Sequence, residues 1–501
     1  MSVLTRTLFV AADAADKDLV LQWAGEGKLP CFQRLLSEAA WGTTANPPGL
    51  YVGAVWPSFA TGASPAWHHR YCFNQLRPGT YETPRFGPAD MGVEPFWNVL
   101  GRAGKRLAVL DISKTPLSSA PNVTHVVDWG THDPEDEGFL TLPPQLAAEI
   151  TRRFGRDPVG ICDGTRRTAA DFAALRDKLI ARTRTKTELI LHFLNQGGWD
   201  GVLASFSETH CAGHHFWHLH DPSHPRHDSR IVAALGSPLL DVYRAVDEGI
   251  GRVLEAAGPD ASKIVLASHG MGPHYEATFM LHLILERLER DRPAAKSAFI
   301  SARGVWQALV PASVRGRLFK DLRRKMKRDH RAQPFFQVPN NDPFGAVQVN
   351  LAGREPDGCV RPGEEYEALC RSLAGDFLAL VNTRTGRPAV SAVHRSTELY
   401  PGQDASAFPD LLIEWNREAP LDSVESPKTG RIDAVYRGCR TGDHRAEGLF
   451  FMTGAGVRTG RTDLPVSVTD FAPTLAELAG SSFAAPDGRS LLPALRSGRR
   501  V

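Results

Sequence analysis

The chain has 501 residues, of which 42% are hydrophobic and 23% charged, and its formal net charge is +2. This length and composition predict a globular protein with one large domain carrying insertions, or with two to three domains. The near balance of charges gives no support for nucleic-acid binding. No uninterrupted apolar stretch approaches about 18 residues, so we expect no membrane span.

The cysteines and the first residues indicate where the protein resides. The seven cysteines are scattered and contain no CxxC pair, which is typical of a reducing compartment and predicts a cytoplasmic location. The apolar run "LFVAA" is followed at once by Asp13 and Asp16. It is therefore predicted to be a buried first strand and not an export signal.

In the first half of the chain, predicted strands alternate with predicted helices. In chain order these elements are a strand at Thr7–Ala11, helices at Asp16–Gly25, Pro30–Ala40 and Phe96–Ala103, a strand at Arg106–Ile112, a helix at Ala169–Asn195, a strand at Gly201–Phe206, a helix at Leu239–Ala257 and a strand at Lys263–Ser268. The polar, proline-bearing stretch at about 115–167 is predicted to be an excursion. The alternation predicts an α/β fold with a mostly parallel central sheet covered by helices on both faces.

This alternation breaks at about 283–405, which we predict to be an insertion that forms a cap. The core would then consist of 1–282 and 406–501. The insertion carries a basic run at 315–331, with nine basic and two acidic residues, which indicates either a solvated helix or a contact with an anionic surface. Beyond the insertion, the predicted elements are strands at Pro409–Trp415 and Gly448–Gly454 and a helix at Thr469–Gly480.

Residues capable of chemistry follow three of the predicted buried strands. Asp13 follows the first strand, the histidine-rich segment Ser207–His220 follows the strand at 201–206, and His269 follows the strand at 263–268. His444 lies just before another strand. Because ligands of open α/β sheets bind beyond the carboxyl ends of the strands, these residues are predicted to share one cleft.

The segment Ser207–His220 contains five histidines. His210 and His214 are four residues apart, so on a helix both rings lie on one face and can share a metal. The alternative is that they are structural histidines with no ligand. The neighbouring histidines are each predicted to be packing or surface residues: His215, His218, His220, His224 and His227.

Several segments, in this order, resemble the alkaline phosphatase superfamily, in particular its type I phosphodiesterase/nucleotide pyrophosphatase branch. The segments that carry the resemblance are "FVAADAADKDLVLQWAGEGKLPCFQRLLSEAAWG", "WPSFATGASPAWHH", "HCAGHHFW", "SHGMG" and "GDHRAEG", together with "FGAVQVNLAGREPDG" and "VTDFAPTLAELAG". The resemblance covers most of the chain. It implies the alkaline-phosphatase-like sheet and a two-metal site, usually with zinc.

In that family one metal is held by Asp, His and His, and the other by Asp, Asp and His beside a Thr or Ser nucleophile. This chain departs from the pattern at three positions. His210 stands where the first metal has its Asp, and Ser268 stands where the second has one. The nucleophile position falls on Val52 or, with a shifted alignment, on Val55. A valine cannot attack a substrate.

Carried over residue by residue, the resemblance implies a tightly bound zinc ion at His210, His214 and His444. Three neutral imidazoles around an open position form a competent zinc site. The second site retains Asp13 and His269, so we expect its metal to be weakly bound or absent. The alternative for this pair is a hydrogen-bonded remnant in the cleft.

These residues predict a metal-dependent hydrolase, and the family resemblance implies that its small-molecule substrate is a phosphate or sulfate ester or a phosphodiester. The attacking group would be a metal-bound water, with Asp13 orienting His269 as a general acid or base. His68 and Arg354 are predicted to contact the anionic substrate, although a lone arginine in a turn is more often structural. The oligomeric state cannot be predicted from the sequence.

Three alternatives for the nucleophile and the function are also compatible with the sequence. The nucleophile could have shifted to another hydroxyl, with Tyr51 as the candidate, because Ser58 and Thr61 are expected to cap or pack in the following helix. The protein could be a catalytically degenerate binding module. The same metal could also serve a lyase or transferase.

Overall fold

The computed structural model describes residues 6–87, 90–132, 134, 138–290, 333–340 and 343–497. The basic run at 315–331 lies outside the described residues. The strands are β1 (Thr7–Ala12), β2 (Ala40–Ala45), β3 (Leu107–Leu110), β4 (Val123–Val127), β5 (Leu140–Leu142), β6 (Gly201–Phe206), β7 (Ser262–Ala267), β8 (Gly270–Pro273), β9 (Phe335–Gln337), β10 (Phe344–Val349), β11 (Val381–Asn382), β12 (Val390–Arg395), β13 (Leu411–Trp415), β14 (Ser423–Ser426), β15 (Gly430–Asp433), β16 (Gly442–Arg445), β17 (Gly448–Thr453), β18 (Gly460–Arg461) and β19 (Val466–Ser467).

The described helices lie between these strands. They are α1 (Lys17–Gly25), α2 (Pro30–Glu38), α3 (Tyr51–Thr61), α4 (Pro65–His68), α5 (Phe96–Arg102), α6 (Leu146–Phe154), α7 (Ala169–Gln196), α8 (Glu208–His220), α9 (Ser229–Leu235), α10 (Pro238–Ala256), α11 (Leu281–Arg290), α12 (Glu364–Leu378), α13 (Ser396–Leu399), α14 (Phe471–Leu478) and α15 (Leu492–Ser497). Among them, none is long and apolar enough to cross a membrane.

The central sheet has ten strands in the order β18-β2-β17-β7-β1-β6-β3-β4-β5, with β19 beside β2. β1 pairs in parallel with both β6 and β7, whereas β17 is antiparallel to β7. Side chains of β1 alternate between the two faces. Leu8 and Val10 join the apolar cluster under α7, α8 and α10, and Phe9 and Ala11 join the cluster under α3, α5 and α14. The predicted mostly parallel sheet with helices on both faces is confirmed.

The stretch at 115–167 is more than an excursion. β4 pairs in parallel with β3, and β5 pairs antiparallel with β4, so this stretch supplies the edge of the central sheet. The loop after β4 then crosses the carboxyl end of the sheet. Consequently Gly130 comes within hydrogen-bonding distance of Ser207, after β6, and His132 lines the same cavity as Asp13, after β1.

The cap has its own core, and its range differs from the predicted one. β12, β13, β10 and β9 form a four-stranded sheet, and β11, β14 and β15 form a smaller one. The associated apolar cluster extends from Ala277 to Ile432. β13, predicted to be part of the central core, pairs with β10 and β12 instead. A short apolar strand does not reveal in its sequence which sheet it joins.

A two-stranded ribbon brings the last histidine to the site. β16 pairs antiparallel with β8, and His444 lies opposite Met271. β8 begins directly after His269, at the end of β7. The ribbon therefore places His444 at the carboxyl end of the central sheet, beside His269.

Candidate metal centre

Asp13 lies at the carboxyl end of β1 and is buried. One oxygen, Oδ1, accepts hydrogen bonds from Trp56 Nε1 and Ser268 Oγ, each at 3.0 Å. The other, Oδ2, lies 2.9 Å from His210 Nδ1. Burial by itself would raise the pKa of Asp13, but its interactions with His210 and His269 and the hydrogen bond from Ser268 lower it below its ordinary value. Asp13 is thus a carboxylate that uses both oxygens to hold neighbouring side chains.

Helix α8 starts immediately after β6 and presents His210 and His214 on one face, as predicted. The two Nε2 atoms are 3.0 Å apart. His214 Nδ1 lies 2.8 Å from the carbonyl oxygen of Gly442, which can only accept, so Nδ1 carries the proton. Burial, with help from Arg440 and the neighbouring histidines, lowers the pKa of His214 well below its ordinary value. Its Nε2 therefore carries a lone pair at neutral pH.

A chain of hydrogen bonds connects Asp13 to His444. Ser268 Oγ donates to Asp13 and lies 3.0 Å from His269 Nδ1, so it accepts the proton of His269. His269 Nε2 then accepts from His444 Nδ1 at 2.9 Å. Burial lowers the pKa of His269 to about 4 and holds the pKa of His444 well below its ordinary value. Both rings are neutral, and the proton positions follow from the partners.

These contacts leave the Nε2 atoms of three imidazoles close to one another. His210, His214 and His444 each place Nδ1 against an acceptor, and their ring centroids are 4.7 to 4.8 Å apart. The Nε2 atoms of His210 and His214 lie 3.0 Å apart, and His444 Nε2 is buried with no hydrogen-bond partner among the described residues. Such a set is repulsive unless a cation or proton lies among the nitrogens. The residues therefore fit a metal ion.

His132 is a site residue that the sequence reasoning missed. Its ring centroid is 4.3 Å from that of His210, and its nitrogen groups with those of His210 and His214 within 4.8 Å. Its Nε2 lies 3.1 Å from Arg440 Nη2, which can only donate. His132 follows β4, so the rule that ligands bind at strand ends would have found it had Val123–Val127 been recognised as a strand.

A cavity of about 90 Å³ opens in front of the histidines. Asp13, His132, His210, His269 and His444 line it, and so do Arg70, Lys114 and Arg440. Three cationic side chains thus face the cavity, against one carboxylate. This charge arrangement favours an anionic ligand.

The opposite wall of the cavity is the first turn of α3. Val52, Gly53 and Trp56 line the cavity, so Val52 occupies the position at the cavity edge, whereas Val55 is fully buried in the core. A Cβ at Gly53 would lie 2.0 Å from the carbonyl oxygen of Tyr71. Only glycine allows α3 to approach this backbone so closely.

The other hydroxyl groups considered near this wall are engaged in structural contacts. Tyr51 Oη donates to the carbonyl oxygen of His444 at 3.1 Å, and burial raises its pKa above the ordinary value. Ser58 Oγ bonds His68 Nε2 at 2.9 Å. Thr61 Oγ1 donates to the carbonyl oxygen of Pro57 at 2.7 Å. None of the three lines the cavity.

The structure does not bring the two predicted substrate contacts to the cavity. His68 is fully buried, and its Nδ1 accepts from the backbone N–H of Arg70 at 3.1 Å. Both of its nitrogens are satisfied inside the protein. Arg354 lies in the cap, where Nη1 and Nη2 donate to Asp410 at 2.8 and 2.6 Å. The apparent anion contact is thus an internal ion pair.

The topology and the strand-end cluster are those of an α/β protein with a candidate metal centre at the carboxyl ends of its central strands. The sequence pattern of the family described as type I phosphodiesterase / nucleotide pyrophosphatase matches residues 7–352. The chain belongs to that family, which confirms the predicted membership and supports a hydrolase. A comparison with curated proteins found no match.

Solved structures show the same fold. Phosphonoacetate hydrolase from Sinorhizobium meliloti 1021, in complex with phosphonoformate, is similar with a TM-score of 0.52 and 14% identity, over 95% of this chain and 96% of that chain. Murine ectonucleotide pyrophosphatase / phosphodiesterase 5 is similar with a TM-score of 0.51 and 11% identity, over 98% and 99%. At this level of identity the likeness concerns the fold.

Proposed function

We propose that this protein is a zinc-dependent hydrolase that cleaves a small phosphate or sulfate ester or a phosphodiester without a covalent enzyme intermediate. The observation that carries the proposal is the arrangement of His210, His214 and His444. Each of these rings directs its Nδ1 at an acceptor: Asp13 for His210, Gly442 for His214 and His269 for His444. Three imidazole nitrogens with an open position form a ligand set typical of catalytic zinc.

A zinc ion at this site would act as a Lewis acid and would lower the pKa of water to about 7. The protein's part is to hold the ligands. The carboxylate of Asp13 orients His210 directly, as hydrogen-bond acceptors do for metal-binding histidines. Gly442 orients His214 through its carbonyl oxygen.

Asp13 and His269 support the ligands in this arrangement. Both oxygens of Asp13 already accept hydrogen bonds, and His269 Nε2 faces His444 Nδ1. An acid–base role for His269 would need its Nε2 to leave His444. The arrangement thus favours a positioning role for both residues, and a single metal at the three histidines.

The cavity indicates the kind of substrate. Arg70, Lys114 and Arg440 face it, and three positive side chains favour a group with negative charge. Its volume of about 90 Å³ is well below the roughly 300–1,000 Å³ of pockets that enclose drug-sized ligands. We therefore propose a small anionic substrate, with the reacting phosphoryl or sulfuryl group at the histidines.

Water is the proposed attacking group because Val52 lies at the nucleophile position and Tyr51, Ser58 and Thr61 are engaged elsewhere. We place the activity in the cytoplasm. The seven cysteines are free thiols, the state that a reducing compartment maintains.

The test compares wild-type protein with His214→Ala on nitrophenyl phosphate, phenylphosphonate and sulfate esters, with zinc supplied. His220→Ala is the matched control, since His220 lies on the same helix but packs against Trp23 with ring centroids 5.4 Å apart. We expect His214→Ala to lose turnover and His220→Ala to keep it. Equal turnover in His214→Ala or in metal-free protein would contradict the proposal. Zinc-loaded wild type that turns over no ester would favour a binding module.

A further inference from the structure

A second cluster of potential ligands lies on helix α8, next to the histidine pair. Cys211 and His215 are also four residues apart, and each follows a member of the first pair by one position. Since successive helical residues are about 100° apart, the second pair points away from the cavity. Cys211 is fully buried and His215 is 2% exposed.

A loop that precedes α7 completes this second cluster. Its Cys162 is 4% exposed, and Cys162 Sγ, Cys211 Sγ and a nitrogen of His132 lie within 4.8 Å of one another. The sulfur of Cys162 also lies within 4.8 Å of ligand atoms of Asp163 and His215. Cys162 is thus the common member of two overlapping groups.

Hydrogen-bond donors converge on the two sulfurs. Arg440 donates to His132 Nε2, so the ring proton of neutral His132 sits on Nδ1. That Nδ1 lies 3.0 Å from Cys162 Sγ and 3.4 Å from Cys211 Sγ. Arg182 Nη2 donates to Cys211 Sγ at 3.5 Å. The sulfurs are held as acceptors, with His132 orienting them and not itself a ligand.

The charged side chains around the two sulfurs are compatible with a divalent ion beside them. Arg182 is paired with Glu208 at 2.7 Å and with Asp157 at 3.4 Å. Two thiolates would therefore offset the charge of one divalent cation. His215 Nε2 is buried, and its neighbour is an oxygen of Asp163 at 3.3 Å.

We propose that Cys162, Cys211 and His215, with Asp163 as the fourth group, close around a soft divalent ion of the zinc type, which would draw the Cys162–Cys211 pair and the Cys162–Asp163–His215 group together. Thiolate and imidazole ligands select such ions, and a four-ligand site is structural. The ion would tie the loop before α7 to α8. It would thereby fix Asp163, which holds Arg440 at 2.7 Å at the cavity edge.

Cobalt(II) taken up by metal-stripped, fully reduced protein distinguishes this site from the histidine site. Only thiolate ligation gives a near-ultraviolet sulfur-to-cobalt charge-transfer band. We expect wild-type protein to bind two cobalt ions per chain and to show the band. Cys162→Ser and Cys211→Ser should each bind one ion and lack the band, whereas His210→Ala should retain it.

Cys31→Ser is the matched control, because Cys31 is also buried but lies on α2. It should keep both ions and the band. If the cysteine variants fail to fold, His215→Ala serves instead, with cobalt affinity at this site lowered by at least about tenfold. Reduced wild type without the band, or a band that persists in Cys162→Ser and Cys211→Ser, overturns the proposal whatever the esterase assays show.

Discussion

The two walls of the cavity differ in the chemistry of their side chains. The strand-end wall, formed by the ends of β1, β6 and β7 and by β16, carries Asp13 and the histidines, and every polar atom that orients a ligand nitrogen has a partner. The helix wall, formed by the first turn of α3, carries Val52 and Trp56. Near this wall, the hydroxyl groups of Tyr51, Ser58 and Thr61 and the ring of His68 make hydrogen bonds inside the protein. In the proposed function, the strand-end wall would bind the metal and the helix wall would take no part in the chemistry.

The difference has a physical reason. Under the proposed function, an imidazole in place of a carboxylate at position 210 would keep a metal ligand, because Asp13 can hold the ring by a hydrogen bond of 2.9 Å. Val52 on the helix wall supplies packing and no group that could attack a substrate. We therefore expect substitutions on the strand-end wall to have large effects on activity and substitutions on the helix wall to have small ones.

The largest effect should come from His444→Ala. This change removes Nε2 of His444, a proposed metal ligand that is buried with no hydrogen-bond partner among the described residues. Because a metal contributes several kcal/mol of transition-state stabilisation, we expect kcat/KM to fall by about a thousandfold. Steady-state assays of the zinc-loaded variant measure it, and a loss of less than about tenfold would show that His444 is not a ligand.

Asp13→Asn tests the support of the strand-end wall. The asparagine amide has a single oxygen acceptor, so His210 loses its orienting partner. Zinc affinity should therefore fall by about 10- to 100-fold. Competition with a chromophoric chelator measures the affinity. Trp56→Phe, which removes only one donor to Oδ1, is the control and should cost less than about tenfold. Unchanged zinc affinity in Asp13→Asn would show that Asp13 does not support the proposed ligands.

His68 tests whether the helix wall is structural. Burial lowers the pKa of folded His68 to about 3, from 6.5 when exposed. Between these values the unfolded chain binds a proton that the folded chain does not. The contribution of His68 to stability is therefore complete above pH 6.5 and is lost as pH falls towards 3, at about 1.4 kcal/mol per pH unit.

Denaturant unfolding of wild type and His68→Gln at pH 7 and pH 5 measures this contribution. The variant should lose less stability than wild type between the two pH values. Equal losses in both proteins would place the His68 ring in contact with water.

Lys114→Asn tests the anionic substrate. Lys114 lines the cavity and has φ 60°, a left-handed conformation that asparagine tolerates. Loss of one charge contact should raise KM by about tenfold and leave kcat within about threefold, as expected for uniform binding. A fall in kcat with unchanged KM would instead assign Lys114 to the transition state.

The smallest effect should come from Val52→Ala on the helix wall. If water attacks, the residue at the former nucleophile position contributes packing alone, and kcat should change by less than about threefold. Rapid-quench experiments should also find no covalent phosphoenzyme in either protein. A trapped phosphoenzyme would show that another side chain of this chain attacks.

Much of the sheet was predictable because buried parallel strands have a simple signature. The strand Gly201–Phe206 was predicted with its observed bounds, and β1 and β7 were predicted within a residue. The motifs at their ends then located Asp13, His210 and His269. These predictions depend on continuous apolar runs followed by polar residues.

The remaining features depend on contacts distant in sequence. β4 contains the buried His125 and a threonine, so its apolar signal is interrupted, and His132 beyond it was missed. The hydrogen bond between His210 and Asp13 joins residues 197 positions apart. The sequence shows that both are polar but not that one holds the other.

Metal content by elemental analysis tests the central claim most directly. Wild type and His210→Ala would be purified side by side without added metal and also assayed for ester hydrolysis. We predict that His210→Ala contains one zinc ion fewer per chain than wild type and that this loss abolishes turnover. Equal zinc content in the two proteins, or full turnover in the variant, would contradict a catalytic metal at the three histidines.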